Sequence, residues 1–244
     1  MSEAIRIAMW SGPRNISTAM MRSFGSRADC AVSDEPFYGA FLKDSREAHP
    51  MAEEVIADMD CDWNSVIEKL SGPIPAGKTA WYQKHMPHHM VGPIGIADFP
   101  QHRHAFLIRA PERVVASYRN KNELHSPEML GFAKLRAYFD QEANRIGSPP
   151  PVVDSDDILR NPAGVLEKLC EVLGISWDPA MLSWAKGPHP EDGIWGAHWY
   201  DKVNASTGFG ASPGPLPLLD DDFGRLADAC REDYEALKHY ALCA

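Results

Sequence analysis

The sequence predicts a single α/β domain in which a parallel β-sheet is flanked by helices. Two observations predict it. Short apolar runs of β-favouring residues alternate with segments of helical spacing from residue 5 to residue 173, and strands joined by helical crossovers pair in parallel. In addition, 244 residues with 44% hydrophobic content can bury one sizeable core, so residues 1–244 are expected to form one domain.

The individual elements follow from apolar spacing and from residues that begin or end helices. The predicted strands cover residues 5–10, 79–83, 105–108 and 151–153, and a second short strand precedes Asp34. The predicted helices cover residues 17–24, two amphipathic stretches within 51–70, residues 111–118 and residues 163–173. Gly174 stands where a left-handed helix C-cap belongs.

The last third of the chain differs in composition from the rest. Residues 178–219 are rich in Gly, Pro, Trp and His, which predicts an irregular but ordered covering segment or lid. Asp220 and the two following aspartates then favour the start of a C-terminal helix over residues 220–243, because acidic groups stabilise the positive end of a helix.

Charge and cysteine content exclude several classes of function. A net charge of −10 and a pI near 5.4 repel nucleic acid and anionic membranes, so neither is expected as a partner. No apolar run approaches the length of a membrane span, so a soluble, cytoplasmic protein is expected, as a monomer or a homodimer. The five cysteines form no CxxC pair and are expected to be reduced thiols.

The loop after the first strand is the first candidate site, since ligands of open parallel sheets collect at the carboxyl ends of the strands. It consists of Pro13, Arg14, Asn15, Ile16, Ser17 and Thr18. Helix N-terminal NH groups, two hydroxyls and a guanidinium can together hold a phosphate or sulfate. The loop lacks the second glycine and the lysine of a G-x-x-x-x-G-K-[ST] motif, which disfavours an ordinary ATPase.

This loop resembles the 5′-phosphosulfate loop of sulfotransferases, P-[KR]-S-G-T-T, at its proline, its basic residue and its final hydroxyl pair. A second motif of that family, R-x-x-x-x-x-x-x-S after a buried strand, matches Arg109 and Ser117. The stretch 156–175 is similar to a third family segment and its helix. Together the matches reach from the first strand to about residue 177.

The resemblance implies a sulfotransferase with a P-loop-like three-layer sandwich that binds 3′-phosphoadenosine 5′-phosphosulfate (PAPS) and a small-molecule acceptor with a hydroxyl or amine. The loop would hold the phosphosulfate, and Arg109 and Ser117 the 3′-phosphate. Two departures stand out: Ile16 replaces the usual loop glycine, and Ser155 replaces an adenine-stacking tyrosine. The purine platform would then be Trp10, Trp195 or Trp199.

Two residues compete for the role of catalytic base. Lys84-His85-Met86-Pro87 resembles the K-T-H-L-P segment that carries the base of cytosolic sulfotransferases, shortened by one residue. Glu35 follows the second strand, where some bacterial members place a glutamate base. We prefer His85, because an unperturbed imidazole titrates near neutrality, with Glu35 as acceptor contact or alternate base. Lys84 and Arg14 would neutralise the leaving group.

Other interpretations remain open. His85, His88 and His89 share one helical face, but no HExxH motif or acidic ligand accompanies them, so no metal is expected. A degenerate kinase or triphosphatase, or an inactive binder of adenosine 3′,5′-bisphosphate, would use the same loop. A pyridoxal-phosphate enzyme has no support in the sequence. Residues 193–200 are candidates for the wall of the acceptor pocket.

Overall fold

A computed structural model describes residues 4–75, 77–120 and 123–243. Its centre is a five-stranded parallel sheet with the order β2-β3-β1-β4-β5. The strands are β1 (Ile5–Ser11), β2 (Cys30–Asp34), β3 (Ala80–His85), β4 (Arg103–Ile108) and β5 (Val152–Asp154). The predicted α/β domain with a parallel sheet is therefore confirmed.

Helices cover both faces of the sheet. They are α1 (Ser17–Gly25), α2 (Tyr38–Ser45), α3 (Ala52–Asp58), α4 (Trp63–Ser71), α5 (Pro111–Tyr118), α6 (Phe132–Ile146), α7 (Ser155–Arg160), α8 (Pro162–Leu173), α9 (Gly196–Trp199), α10 (Asp201–Asn204), α11 (Asp221–Ala229) and α12 (Arg231–Lys238). The predicted strand and helix positions outside the C-terminal region agree with these bounds to within two residues. Gly174 ends α8 with φ of 64°, as its position predicted.

The sheet separates two apolar cores, and alternate residues of each strand point to opposite cores. On one side, Met20 and Phe24 of α1 pack with Tyr82 of β3. On the other side, Trp10 of β1 and Phe106 of β4 pack against the residues of α4 and α6. Because of this alternation, adjacent side chains at the end of a strand point to opposite faces of the sheet.

The C-terminal region differs from its prediction, because residues 220–243 form two helices rather than one. Helix α11 ends and α12 begins at the buried Cys230. The physical reason is packing: α11 lies against α5, whereas α12 lies against α6, so one straight helix cannot bury its apolar residues against both neighbours. In the described residues, no helix is long and apolar enough to cross a membrane.

Candidate active site

A cavity of about 840 Å³ opens at the carboxyl ends of the central strands. Its walls include every residue predicted for anion binding and two of the three predicted catalytic residues. These are Pro13, Arg14, Asn15, Ile16, Ser17, Thr18, Arg109 and Ser117, with Glu35 and Lys84. Stretches of chain separated by about 100 residues therefore meet at one site, as strand ends in a parallel sheet do.

The loop between β1 and α1 is held in a strained backbone conformation. Arg14 has φ of 63°, and Ile16, the N-cap of α1, has φ of 57° and ψ of 18°. A β-branched residue adopts this left-handed region only at a cost in free energy. The amide of the buried Asn15 donates to the carbonyl of Leu107 on β4 at 3.1 Å and anchors the loop. Ile16 thus takes the positive φ at which the family loop has glycine.

The amino end of α1 is open to the cavity. Ile16 offers no side-chain hydrogen bond to cap the helix, and the first NH groups of a helix have no carbonyl one turn earlier to pair with. These NH groups and the helix dipole favour a bound anion. Ser17 and Thr18, the first two residues of α1, add hydroxyl groups to the same wall.

The two arginines predicted to bind phosphates lie side by side. Arg109 donates from Nη1 to the carbonyl oxygen of Arg14 at 2.7 Å, and Arg14 donates from Nε to the Ser117 hydroxyl at 3.0 Å. Burial lowers the pKa of both guanidinium groups. Nε of Arg109 is buried without a hydrogen-bond partner in the described structure. An anion in the cavity would supply the acceptor that this atom lacks.

Lys84 is the centre of a buried polar network. Its side chain is 1% exposed, and Nζ donates to Asp34 Oδ1 at 2.9 Å, Glu35 Oε1 at 2.7 Å and the Tyr200 hydroxyl at 2.8 Å. Thr18 Oγ1 lies 3.3 Å from Nζ. Burial alone would lower the pKa of Lys84, but the two carboxylates together hold it well above its usual value, so the ammonium stays charged.

Glu35 is the carboxylate of this network that lines the cavity. It lies just beyond β2 with φ of 42°, a third strained non-glycine backbone at the cavity wall. Its Oε1 accepts from Lys84, while Oε2 is 3.6 Å from Nδ1 of His89. Burial holds the pKa of His89 well below its usual value, so this imidazole is neutral and leaves Oε2 without an ion pair.

His85 does not reach the cavity. It is 1% exposed on the opposite face of β3 from Lys84, and its ring stacks on Trp10 with a centroid distance of 4.6 Å. Burial, with His102 and His104 nearby, holds its pKa well below the usual value. Because the His85 ring lies in the core and not at the cavity wall, it cannot reach a proton on a ligand in the cavity, so the preference for His85 as base does not fit this structure.

Of the three tryptophans considered as purine platforms, one lies in the core and two line the cavity. Trp10 is fully buried in the core and donates from its indole NH to His104 at 2.9 Å. Trp195 and Trp199, in contrast, line the cavity. Ser155 is fully buried at the start of α7, outside the cavity wall. Residues 178–219, which were predicted to cover the site, therefore contribute aromatic side chains to the cavity wall.

Comparison with known proteins places this geometry in a family. Residues 5–241, nearly the whole chain, match the family model of the sulfotransferase domain. The chain belongs to the sulfotransferase family. Membership of this family agrees with a cavity that combines an open helix terminus with two half-buried arginines, since these are groups suited to holding anions.

Solved sulfotransferases share the fold at low sequence identity. The sulfotransferase from Alicyclobacillus acidocaldarius superposes with a TM-score of 0.57 at 14% identity, over 98% of this chain and 97% of that one. The sulfotransferase domain from the curacin biosynthetic pathway gives a TM-score of 0.51 at 14% identity, over 94% and 98% of the two chains.

Two curated relatives come from Arabidopsis thaliana. Branched-chain-amino-acid aminotransferase-like protein 2 is 33% identical over 235 residues, and the corresponding protein 1 is 35% identical over 222 residues. These matches cover 95% and 89% of this chain but only 41% and 38% of the relatives. Because the chain spans about two fifths of those proteins, the aminotransferase part of their names is not carried over to it.

Sequence reasoning missed the contacts of several residues at this site, and it predicted Tyr200 only as part of the pocket wall formed by residues 193–200. Asp34 and Tyr200 complete the Lys84 network, and Arg113 lines the cavity while donating from Nε to Asp156 at 2.8 Å. Asp34 is adjacent to Glu35. A charged residue at the last position of a strand is the sequence signal that could have identified it. Nothing in the sequence linked Tyr200 to Lys84, which is 116 residues away.

The three histidines that the sequence places on one helical face do not lie together in the structure. His88 and His89 line the cavity with ring centroids 4.4 Å apart, whereas His85 belongs to the core. Among residues 4–75, 77–120 and 123–243, no group of three or more His, Cys, Asp or Glu side chains is placed to hold a metal ion.

Proposed function

We propose that this sulfotransferase moves a sulfuryl group from PAPS to a hydroxyl or amine of a small-molecule acceptor. One observation carries the proposal: Arg109 and the strained loop around Arg14 meet through a 2.7 Å hydrogen bond at one cavity. PAPS has two anionic groups on one adenosine, so a protein that binds it needs two adjoining anion sites. A single phosphate cradle would suffice for a simpler ligand.

In this proposal each end of the donor has its own residues. The open amino end of α1, with Ser17, Thr18 and Arg14, takes the 5′-phosphosulfate, and Arg109 with Ser117 takes the 3′-phosphate. Trp195 and Trp199 are the candidates for contact with flat parts of either ligand, since both line the cavity. Because the two guanidinium groups are partly desolvated, their attraction for these anions is stronger than it would be in bulk water.

We assign the base to Glu35 rather than His85. Glu35 lines the cavity with Oε2 unpaired, whereas His85 is in the core. The acceptor O–H or N–H gives its proton to Glu35 as the new bond to sulfur forms. The bond between sulfur and the bridging phosphate oxygen breaks, and adenosine 3′,5′-bisphosphate leaves with the electron pair. Lys84 and Arg14, which both line the cavity, are the cations proposed to stabilise the negative charge that develops on this oxygen.

A thermal-shift titration with adenosine 3′,5′-bisphosphate, ATP and GTP tests donor binding. At 100 times its dissociation constant a ligand stabilises by about 2.7 kcal/mol, which raises the melting temperature of a domain of this size by roughly 5–10 °C. Only the bisphosphate should do so. Arg109→Ala should abolish the shift, whereas Arg136→Ala, which removes a partly exposed arginine paired with Asp140 on α6, should retain it.

Equal stabilisation by ATP or GTP would contradict the donor assignment and favour a degenerate kinase or triphosphatase. Binding alone does not separate an enzyme from an inactive bisphosphate binder. Release of adenosine 3′,5′-bisphosphate from PAPS, measured with phenol and with an aliphatic amine as probe acceptors, makes that distinction. A protein that binds the bisphosphate with Arg109-dependent affinity but releases none from PAPS would be the inactive binder.

A further inference from the structure

The hydroxyl of Tyr200 is saturated by three hydrogen bonds inside the site. It donates to Asp34 Oδ2 at 2.6 Å, and it accepts from Lys84 Nζ at 2.8 Å and from the indole NH of Trp195 at 3.1 Å. A phenol has one proton and two lone pairs, so this geometry uses its full capacity. Tyr200 is 6% exposed and belongs to the covering residues 178–219, not to the sheet.

The ammonium group of Lys84 is fixed in rotation by its three nearest acceptors. It has three protons, and the acceptors within 2.9 Å of Nζ are Asp34, Glu35 and Tyr200. Two of these bonds determine the direction of the third. The bond to Glu35 Oε1 is therefore oriented by Asp34 and Tyr200, and it leaves Oε2 of Glu35 directed away from Lys84.

We propose that Tyr200 is a positioning residue for the reaction: its hydroxyl orients the Lys84 ammonium, which in turn orients the Glu35 carboxylate. This inference rests on the proposed function, in which Glu35 is the base. It also means that the base is correctly oriented only while the covering residues around Tyr200 are docked on the sheet. Asp34, which accepts from both Lys84 and Tyr200, is the second member of this arrangement.

The docking of the covering residues does not depend on the Tyr200 hydroxyl alone. Arg22 of α1 donates to Asp192 Oδ2 at 2.5 Å and to Asn204 Oδ1 at 3.0 Å, and the Gly193 NH donates to Asp34 at 3.1 Å. These contacts lie on both sides of Tyr200 in the chain. A variant that lacks only the hydroxyl is thus expected to keep the segment in place.

Tyr200→Phe is the test, with Tyr234→Phe as its matched control. Tyr234 is also buried, and its hydroxyl donates to a buried aspartate, Asp154 Oδ2, at 2.8 Å, but it does not line the cavity. With PAPS and phenol as probe acceptor, Tyr200→Phe should lower kcat by roughly 10- to 100-fold and leave the KM for PAPS within about twofold. Tyr234→Phe should leave kcat within about twofold, and it should lower the melting temperature about as much as Tyr200→Phe does.

A second measurement works without turnover. The NMR signal of the Lys84 ammonium, assigned by its loss in Lys84→Arg, should broaden or shift in Tyr200→Phe and stay unchanged in Tyr234→Phe. An unchanged kcat in Tyr200→Phe, or an equal fall in Tyr234→Phe, would overturn the inference. If the wild-type protein fails to turn over PAPS, the proposed function fails, and an unchanged ammonium signal in Tyr200→Phe would then reject the positioning role separately.

Discussion

Replacing Lys84 by methionine should destabilise the protein in a strongly pH-dependent way. Methionine keeps most of the side-chain volume but removes the ammonium that pairs with Asp34 at 2.9 Å and Glu35 at 2.7 Å. At an effective dielectric constant of about 20, each direct Coulomb attraction is about 6 kcal/mol, which is largely offset by the desolvation of the charges. Breaking such a buried pair from one side typically costs about 3–5 kcal/mol, and we expect about 4 kcal/mol at pH 8.

The pH dependence follows from Asp34. Burial already raises the pKa of this carboxyl, and the loss of its cation raises it further. A group whose pKa is higher in the folded than in the unfolded state contributes stability below the unfolded pKa and loses it as pH rises through the folded pKa. The defect of Lys84→Met should therefore be smaller at pH 5 than at pH 8, because the protonated Asp34 carboxyl no longer needs the missing cation.

Urea unfolding followed by circular dichroism at both pH values measures this difference. The matched control is Lys238→Met, because Lys238 also pairs with two carboxylates, Asp154 at 3.0 Å and Asp157 at 2.7 Å, but is 31% exposed. The control should cost less than Lys84→Met, because Lys238 is partly exposed to water and the buried Asp154 keeps its hydrogen bond from Tyr234. An equal loss in the two variants, or a Lys84→Met defect that grows towards pH 5, would refute the reasoning.

Two further predictions concern the loop and the base. Ile16→Gly should be more stable than Ile16→Ala by about 0.5–1 kcal/mol in urea unfolding, because only glycine adopts φ of 57° without strain. Ile56, a half-buried residue inside α3, is the control, and there the alanine variant should be more stable than the glycine variant by a similar amount. If alanine is the more stable replacement at both positions, the backbone of Ile16 is not strained. Glu35→Gln should lower the rate of sulfuryl transfer by roughly 10²- to 10⁴-fold, because it removes the proposed base. His85→Gln should change this rate less than about threefold. A large loss in His85→Gln with little change in Glu35→Gln would instead indicate that His85 is the base.

The sequence by itself determined the parallel α/β fold and the positions of the two stretches that we propose bind anions. Their signals are local: the strand, loop and helix around Arg14 lie within 21 consecutive residues, and the spacing from Arg109 to Ser117 spans one strand end and one helix. In a parallel sheet the ends of neighbouring strands share one edge, so the meeting of the two stretches follows from the fold. The sequence marks Ile16 as a departure from the family loop, but it does not predict that Ile16 adopts the left-handed backbone.

Only the tertiary structure shows which of the two candidate bases lines the cavity and which groups surround Lys84. Lys84 and His85 are neighbours at the end of β3, and adjacent strand residues point to opposite faces. If the motif is aligned one residue further along the strand, the side chain assigned to the cavity is one that lies in the core. The sequence contains no signal for which face of the strand carries the site. The contact of Tyr200 with Lys84 depends on how an irregular segment folds back over 116 residues, because such packing is determined by the whole core rather than by local spacing.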